Sequence, residues 1–179
     1  MSDFFIYLVS SLPMLHFGAR PPMTYEGFLG LCEGKLDPQE AELLESLPEP
    51  ISLKEGVSVL TQPTLKGWLA FDVTLRNELV KIRASRKKTD AQKFLRPDGY
   101  AQPSVTHLAL AALRNPSLLE GEKMLDAERW RFLDELALGH YFDMDILVIY
   151  ALKLLILERW DRINAADKPK LLEETIHVS

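Results

Sequence analysis

The strongest candidate for chemistry in this sequence is the segment His140-Tyr141-Phe142-Asp143-Met144-Asp145. It places an imidazole and two carboxylates within six residues, and divalent metal ions bind both kinds of group. A second interpretation needs no metal: Gly139 ends one helix, His140 complements the dipole of that helix, and Asp143 caps the next helix. The spacing supplies no further ligand, so we favour the capping interpretation and assign no metal, cofactor or catalytic residue. A metal-dependent helical hydrolase near His140 and Asp143 stays open as the alternative from the enzyme class.

Two isolated side chains could in principle act as nucleophiles. Lys153 interrupts an apolar run, and burial can lower the pKa of a lysine enough to make it reactive. More often the stem of such a lysine packs on apolar surface while its amine reaches water or a carboxylate. Cys32 is the single cysteine, which excludes an intramolecular disulfide, and we interpret it as a packing residue. We therefore predict that the protein is not an enzyme.

A basic stretch from Lys81 to Arg96 is the third candidate site. It contains seven cations opposed only by Asp90, whereas residues 26–55 carry eight carboxylates and two lysines. Cations in this density could follow a phosphate backbone. However, only Phe94 is available for base stacking, and the net charge of −5 does not indicate a nucleic-acid-binding protein. We expect a solvated face or a face that binds an acidic protein.

The spacing of the apolar residues predicts an all-α fold of about seven helices, with at most a short β-strand pair. The segment Phe4–Leu12 leaves helix and strand both open, and Val57–Leu60 is a candidate strand. Caps, prolines and apolar spacing place the helices at about 25–32, 38–47, 65–82, 105–112, 118–136, 144–163 and 170–176.

The length predicts one helical domain over residues 1–179, with a possible subdomain boundary at 97–103. No apolar run approaches the roughly 20 residues that a membrane span needs. The apolar N-terminal stretch is short, and no basic region precedes it, so it is not typical of a signal peptide. We expect a cytoplasmic protein.

Four segments together resemble a known group of proteins: Phe5–Pro13, Leu75–Ala84, Glu122–Asp126 and Tyr150–Trp160. They are similar to an uncharacterised bacterial family whose genes lie among those of V/A-type rotary ATPases. That family resembles a reduced form of the funnel subunit of these enzymes (called C, or d in eukaryotes), which is all-helical and joins the central stalk to the membrane ring. The resemblance implies a non-catalytic subunit or accessory factor, peripheral at the inner face of the cell membrane, whose partners are the stalk and ring subunits.

The chain departs from the full-length funnel subunit in being much shorter and in lacking its threefold internal repetition. A minimal coupling subunit on the rotor or the stator and an assembly or regulatory factor therefore both remain open. No contact residue of the family transfers by position. The basic stretch supplies the candidate protein-docking face: Arg76, Arg83, Arg86, Lys87 and Lys88. A helical scaffold for an unrelated acidic partner is the alternative from the class of interaction proteins.

Overall fold

The computed structural model describes residues 3–47, 61–97, 99–100 and 102–176. These residues form seven α-helices and one short 3-10 helix, and the described ranges contain no β-strand. The α-helices are α1 (Asp3–Ser11), α2 (Tyr25–Cys32), α3 (Pro38–Ser46), α4 (Pro63–Lys87), α5 (Pro103–Arg114), α6 (Leu118–Leu136) and α7 (Met144–Ile176). The 3-10 helix spans Gln92–Phe94.

The predicted all-α class is confirmed, and several of the predicted helix boundaries are formed by the expected groups. The N-terminal segment is a helix, α1. The Asp37 amide donates to Glu40 Oε2 at 3.1 Å, and the Ser117 hydroxyl accepts from the Glu120 amide at 3.2 Å. The candidate strand at Val57–Leu60 lies outside the described residues.

The prediction for the C-terminal part was wrong in one respect. A long helix ending near Ile163 and a separate short helix around Lys170–Ile176 were expected, and a proline stands between them at position 169. Instead α7 continues without a break to Ile176. A proline inside a helix removes one hydrogen bond and crowds the preceding turn, and this penalty did not end the helix here.

The chain forms two compact units: residues 1–49 with 140–179, and residues 50–139. The first unit contains α1, α2, α3 and α7, and the second contains α4, α5 and α6. The loop at 97–103, where the sequence placed a possible boundary, lies inside the second unit. The expectation of a single domain stays a prediction.

In the first unit, aromatic side chains hold α2 against α7 and α3. Phe28 and Tyr150 have ring centroids 5.3 Å apart, and the Tyr25 amide donates to Glu158 Oε1 at 2.7 Å. The hydroxyl of Tyr25 donates to the Leu44 carbonyl at 2.7 Å. Burial raises the pKa of Tyr25 above its usual range, so this hydroxyl remains a donor.

The second unit is a three-helix bundle in which α4 and α5 run parallel and α6 runs antiparallel to both. The loop between α4 and α5 returns along α4, because both polar groups of the Asn77 side chain bond to the Arg96 backbone at 2.9 Å. Phe71 of α4 stacks on Phe132 of α6 with ring centroids 4.1 Å apart. At Gly121, a Cβ would lie 2.6 Å from a carbonyl oxygen of α5, so glycine permits the close approach of α5 and α6.

A search of the described residues for membrane spans finds no helix that combines the length and the apolar character needed to cross a bilayer.

Candidate docking face and polar clusters

Three of the five predicted docking residues lie along one line of α4. Arg76, Arg83 and Lys87 are separated by seven and four residues, a spacing that returns to the same side of an α-helix. All three are exposed. Arg76 Nε lies 2.5 Å from Asp72 Oδ2, one turn earlier in α4, so that its guanidinium is held against the helix surface.

The other two residues lie at the C-terminal end of α4. The side chain of Arg86 reaches α5, where its Nη1 donates to the Leu113 carbonyl at 3.2 Å. Lys88 follows the helix in the left-handed conformation, with φ of 53°. The amides of Lys88 and Thr89 donate to the carbonyls of Ser85 and Ala84 at 3.2 and 3.0 Å, which closes a Schellman motif.

The five cations therefore form one basic face along the outer line and the C-terminal end of α4: Arg76, Arg83, Arg86, Lys87 and Lys88. The face is about 18 Å long, because each helical residue rises about 1.5 Å. Cations in the last turn also complement the negative end of the helix dipole. The face can attract a carboxylate-rich surface, and its arginines can bind carboxylates in a bidentate manner.

A buried polar cluster beneath this face was not identified from the sequence. Arg129 of α6 lies between two carboxylates, with Nε 3.0 Å from Asp72 Oδ1 and Nη1 2.8 Å from Asp126 Oδ1. Burial alone would lower the pKa of Arg129, but the two carboxylates outweigh it and raise the pKa. The only sequence signal was indirect, since Asp72 falls between Trp68 and Leu75 on the apolar side of α4. The cluster fixes α4 to α6 and positions Arg76 through Asp72.

The His140 segment forms the compact group that its spacing suggested. His140 Nδ1 lies 2.7 Å from Asp143 Oδ2 and 3.7 Å from Asp145 Oδ2, and one ligand atom from each residue falls within 4.8 Å of the others. The hydrogen bond to Asp143 raises the pKa of His140 above its usual value.

Asp143 also performs the predicted capping function, because its Oδ1 accepts from the Ile146 amide at 3.0 Å. These three side chains could donate one nitrogen and two oxygen ligands to a divalent ion. They lie at the N-terminal end of α7, however, where the helix dipole favours anions and opposes a bound cation.

The two isolated candidate nucleophiles occupy ordinary packing positions. Lys153 is partly buried on α7, between the buried neighbours Leu152 and Leu154. Cys32 is buried at the end of α2, and burial raises the pKa of its thiol to about 11. A thiol with this pKa is protonated at neutral pH, so Cys32 lacks the thiolate character of a nucleophile.

Comparison with known proteins gives one partial match. A family model described as "Protein of unknown function (DUF2764)" matches residues 110–177. The matched region begins near the end of α5 and includes Arg129, the His140 group and almost all of α7, while the basic face of α4 lies outside it. No curated protein shows a significant match to the chain. No solved structure shows one either.

Proposed function

We propose that this chain is a non-catalytic subunit or accessory factor of a V/A-type rotary ATPase that translocates protons or sodium ions. It couples or assembles the central stalk with the membrane ring through protein contacts, and it is peripheral at the inner face of the cell membrane. The observation that carries the docking role is the exposed basic face of α4. The choice of the ATPase as partner rests on the resemblance of the four sequence segments.

The chemistry of the face supports an acidic protein surface as the partner. Arg76, Arg83 and Lys87 present their charges along one line, and Arg86 and Lys88 extend the cluster at the helix end. Complementary charge of this kind accelerates encounter and sets orientation more than it adds affinity. A coupling or assembly subunit needs a defined orientation between its partners.

Lys88 supplies a second line of support. Its φ of 53° is a conformation that favours glycine, and a lysine there costs stability relative to glycine. Residues held in unfavourable backbone conformations are concentrated at functional sites. A charged side chain at this position, at the end of the basic face, is consistent with a docking function.

The test measures the affinity of the purified protein for an immobilised complex of stalk and ring subunits. The double substitution Arg83→Glu with Lys87→Glu reverses two exposed charges, and we expect it to weaken binding by about tenfold or more at low salt. Its matched control is Lys66→Glu, an exposed lysine in the early turns of the same helix, about 26 Å from Arg83 along the axis. The control should bind as the unmodified protein does. Unchanged affinity of the double variant would refute the docking face, and the absence of any binding would refute the ATPase assignment.

A helical scaffold for an unrelated acidic partner is the second proposal that the basic face supports. Binding to such a partner would decrease as salt is raised, because exposed charges are screened beyond about 10 Å at 0.1 M salt. Binding that is sensitive to salt and to the Arg83→Glu and Lys87→Glu substitutions, but absent with ATPase subunits, would favour the scaffold.

The metal-dependent hydrolase is favoured by one specific observation, the grouping of His140, Asp143 and Asp145 within 4.8 Å. A ligand that binds only the folded protein raises its melting temperature. If Zn²⁺, Mn²⁺ and Mg²⁺ leave the melting temperature of the metal-free protein unchanged, this alternative is rejected.

A further inference from the structure

One end of the second unit presents an exposed pair of leucines, Leu118 and Leu119. Leu118 lies on the core-facing side of α6, three and seven residues before Gly121 and Leu125, and both of these residues are buried. Leu118 itself is 78% exposed, and the adjacent Leu119 is 42% exposed. The apolar side of α6 therefore continues beyond the core that covers Leu125.

Four exposed cations lie at the ends of the three helices that meet near this pair. Gly121 packs against the last turn of α5, and Arg86 reaches the Leu113 carbonyl, so the ends of α4 and α5 lie beside the start of α6. We define the leucine end as Leu118 and Leu119 with Arg86, Lys88, Arg114 and Lys123, whose cations are all exposed. The carboxylates in the first turns of α6 are Glu120 and Glu122, so positive charge is in excess.

The first unit contains a groove of complementary character. It lies between α2 and α3, has a volume of about 390 Å³, and is lined by apolar side chains that include Leu29, Leu36 and Leu44. Glu26, Glu33 and Glu45 line its rim, and all three are exposed. Residues 25–47 carry six carboxylates and one lysine. We call this feature, including Gly30, Cys32, Gly34 and Ala41, the acidic groove.

We infer that the leucine end of one copy of this protein binds the acidic groove of a second copy. An apolar cavity of about 150 Å³ accommodates a group of the size of benzene, so a groove of about 390 Å³ has room for a leucine side chain. The cations around Leu118 then meet the carboxylates around the groove. A Cβ at Gly30 would contact nothing within 4 Å, so the groove is open beside this residue.

The contact joins two different surfaces, so it is heterologous and leads to chains or rings of copies. The charged side chains on both surfaces are exposed, so we expect a weak and salt-dependent association. We expect a dissociation constant on the order of 100 µM at low salt, between millimolar and micromolar binding. Association should decrease strongly at about 0.5 M salt, where screening acts over a few ångströms. This inference does not rest on the proposed role in a rotary ATPase.

Sedimentation velocity of the full chain over a range of concentrations tests the inference. Leu118→Ser removes the leucine, while Glu33→Lys with Glu45→Lys reverses the charge at the groove. Leu118 and both glutamates are exposed, so neither variant should disturb the fold, and circular dichroism checks this. We expect each variant alone to be monomeric at concentrations where the unmodified chain associates.

Mixing the two variants provides the decisive result. The Leu118→Ser variant keeps an intact groove, and the glutamate variant keeps an intact leucine end, so the mixture should form a one-to-one heterodimer and no larger species. A mixture that stays monomeric would overturn the inference. So would an unmodified chain that is monomeric at about 300 µM in low salt, or single variants that associate as strongly as the unmodified chain. Leu118→Ser leaves Arg83 and Lys87 in place, so ATPase binding by this variant is a separate measurement with a separate outcome.

Discussion

Replacing Lys88 with glycine should make the protein more stable and weaken its docking. The left-handed backbone at Lys88, with φ of 53°, costs a non-glycine residue about 1–2 kcal/mol. Glycine removes this cost, but it also gives the unfolded chain more conformational freedom, which lowers the free energy of unfolding by about 0.4–1 kcal/mol. The difference predicts an increase of about 0.5–1 kcal/mol in the free energy of unfolding. Most substitutions in proteins have the opposite sign.

The same substitution removes one cation from the end of the basic face. An exposed ion pair contributes about 0.2–1 kcal/mol, and about 1.4 kcal/mol corresponds to a tenfold change in affinity. Lys88→Gly should therefore weaken binding to an acidic partner by about 1.4-fold to fivefold at low salt. Stability and docking are thus expected to change in opposite directions at one residue.

Two controls separate the backbone effect from the charge effect. Lys88→Asn removes the charge but places a residue that also tolerates the left-handed conformation, so it should match glycine in docking and gain less stability. Lys66→Gln removes an exposed cation from the early part of α4, where the helix is regular, and should change docking little. Urea unfolding followed by circular dichroism gives the stabilities, and binding titrations give the affinities.

Two results would contradict the expected gain in stability and loss of docking in Lys88→Gly. If Lys88→Gly lowers the free energy of unfolding, α4 does not end in the left-handed Schellman motif. If Lys88→Gly and Lys88→Asn bind a partner as tightly as the unmodified protein while Arg83→Glu does not, Lys88 is outside the docking face.

Three further predictions follow from the packing and the polar groups. Gly121→Ala should destabilise the protein by about 1–3 kcal/mol in urea unfolding, because its Cβ would overlap a carbonyl oxygen of α5. The control Gly30→Ala has open space for its Cβ, so it should leave the stability unchanged or raise it by up to about 1 kcal/mol. Alkylation of Cys32 at pH 8 should be about 100-fold slower in the folded than in the unfolded chain, because folding raises the pKa of the thiol to about 11. Equal alkylation rates in the two states would show that the folded protein leaves this thiol accessible and ionised. The ion pair of His140 with Asp143 should stabilise the fold fully below the ordinary histidine pKa of about 6.5, and this stabilisation should be lost as pH rises through the raised pKa of His140 in the folded protein. Asp143→Asn keeps the helix cap and should lower the pKa of His140 in an NMR titration; an unchanged pKa of His140 would exclude the ion pair.

Much of the helical framework could be predicted from the sequence, because its signals are local. The apolar spacing of α4 and the caps at Asp37, Ser117 and Asp143 act within a few residues of their partners. The exposed cations of the basic face were predictable for the same reason, since helix spacing alone places Arg76, Arg83 and Lys87 on one side.

The remaining features depend on contacts between distant residues. The salt bridge between Asp72 and Arg129 joins residues 57 positions apart, and no local rule pairs a carboxylate of α4 with an arginine of α6. The exposure of Leu118 could not be predicted from the sequence either, because its spacing to Leu125 is typical of a core position. Leu118 lies outside the core because of how the helices pack, which the sequence pattern does not specify.

We propose that the protein acts by binding subunits of a rotary ATPase. Affinity capture of the tagged full chain from its native host in mild detergent, with the retained proteins identified by mass, tests this claim most directly. We expect stalk subunits and the proteolipid ring to be recovered in a fixed ratio, and the Arg83→Glu and Lys87→Glu variant to recover much less of both. If the unmodified chain recovers neither stalk nor ring subunits, the proposed role in the ATPase is wrong.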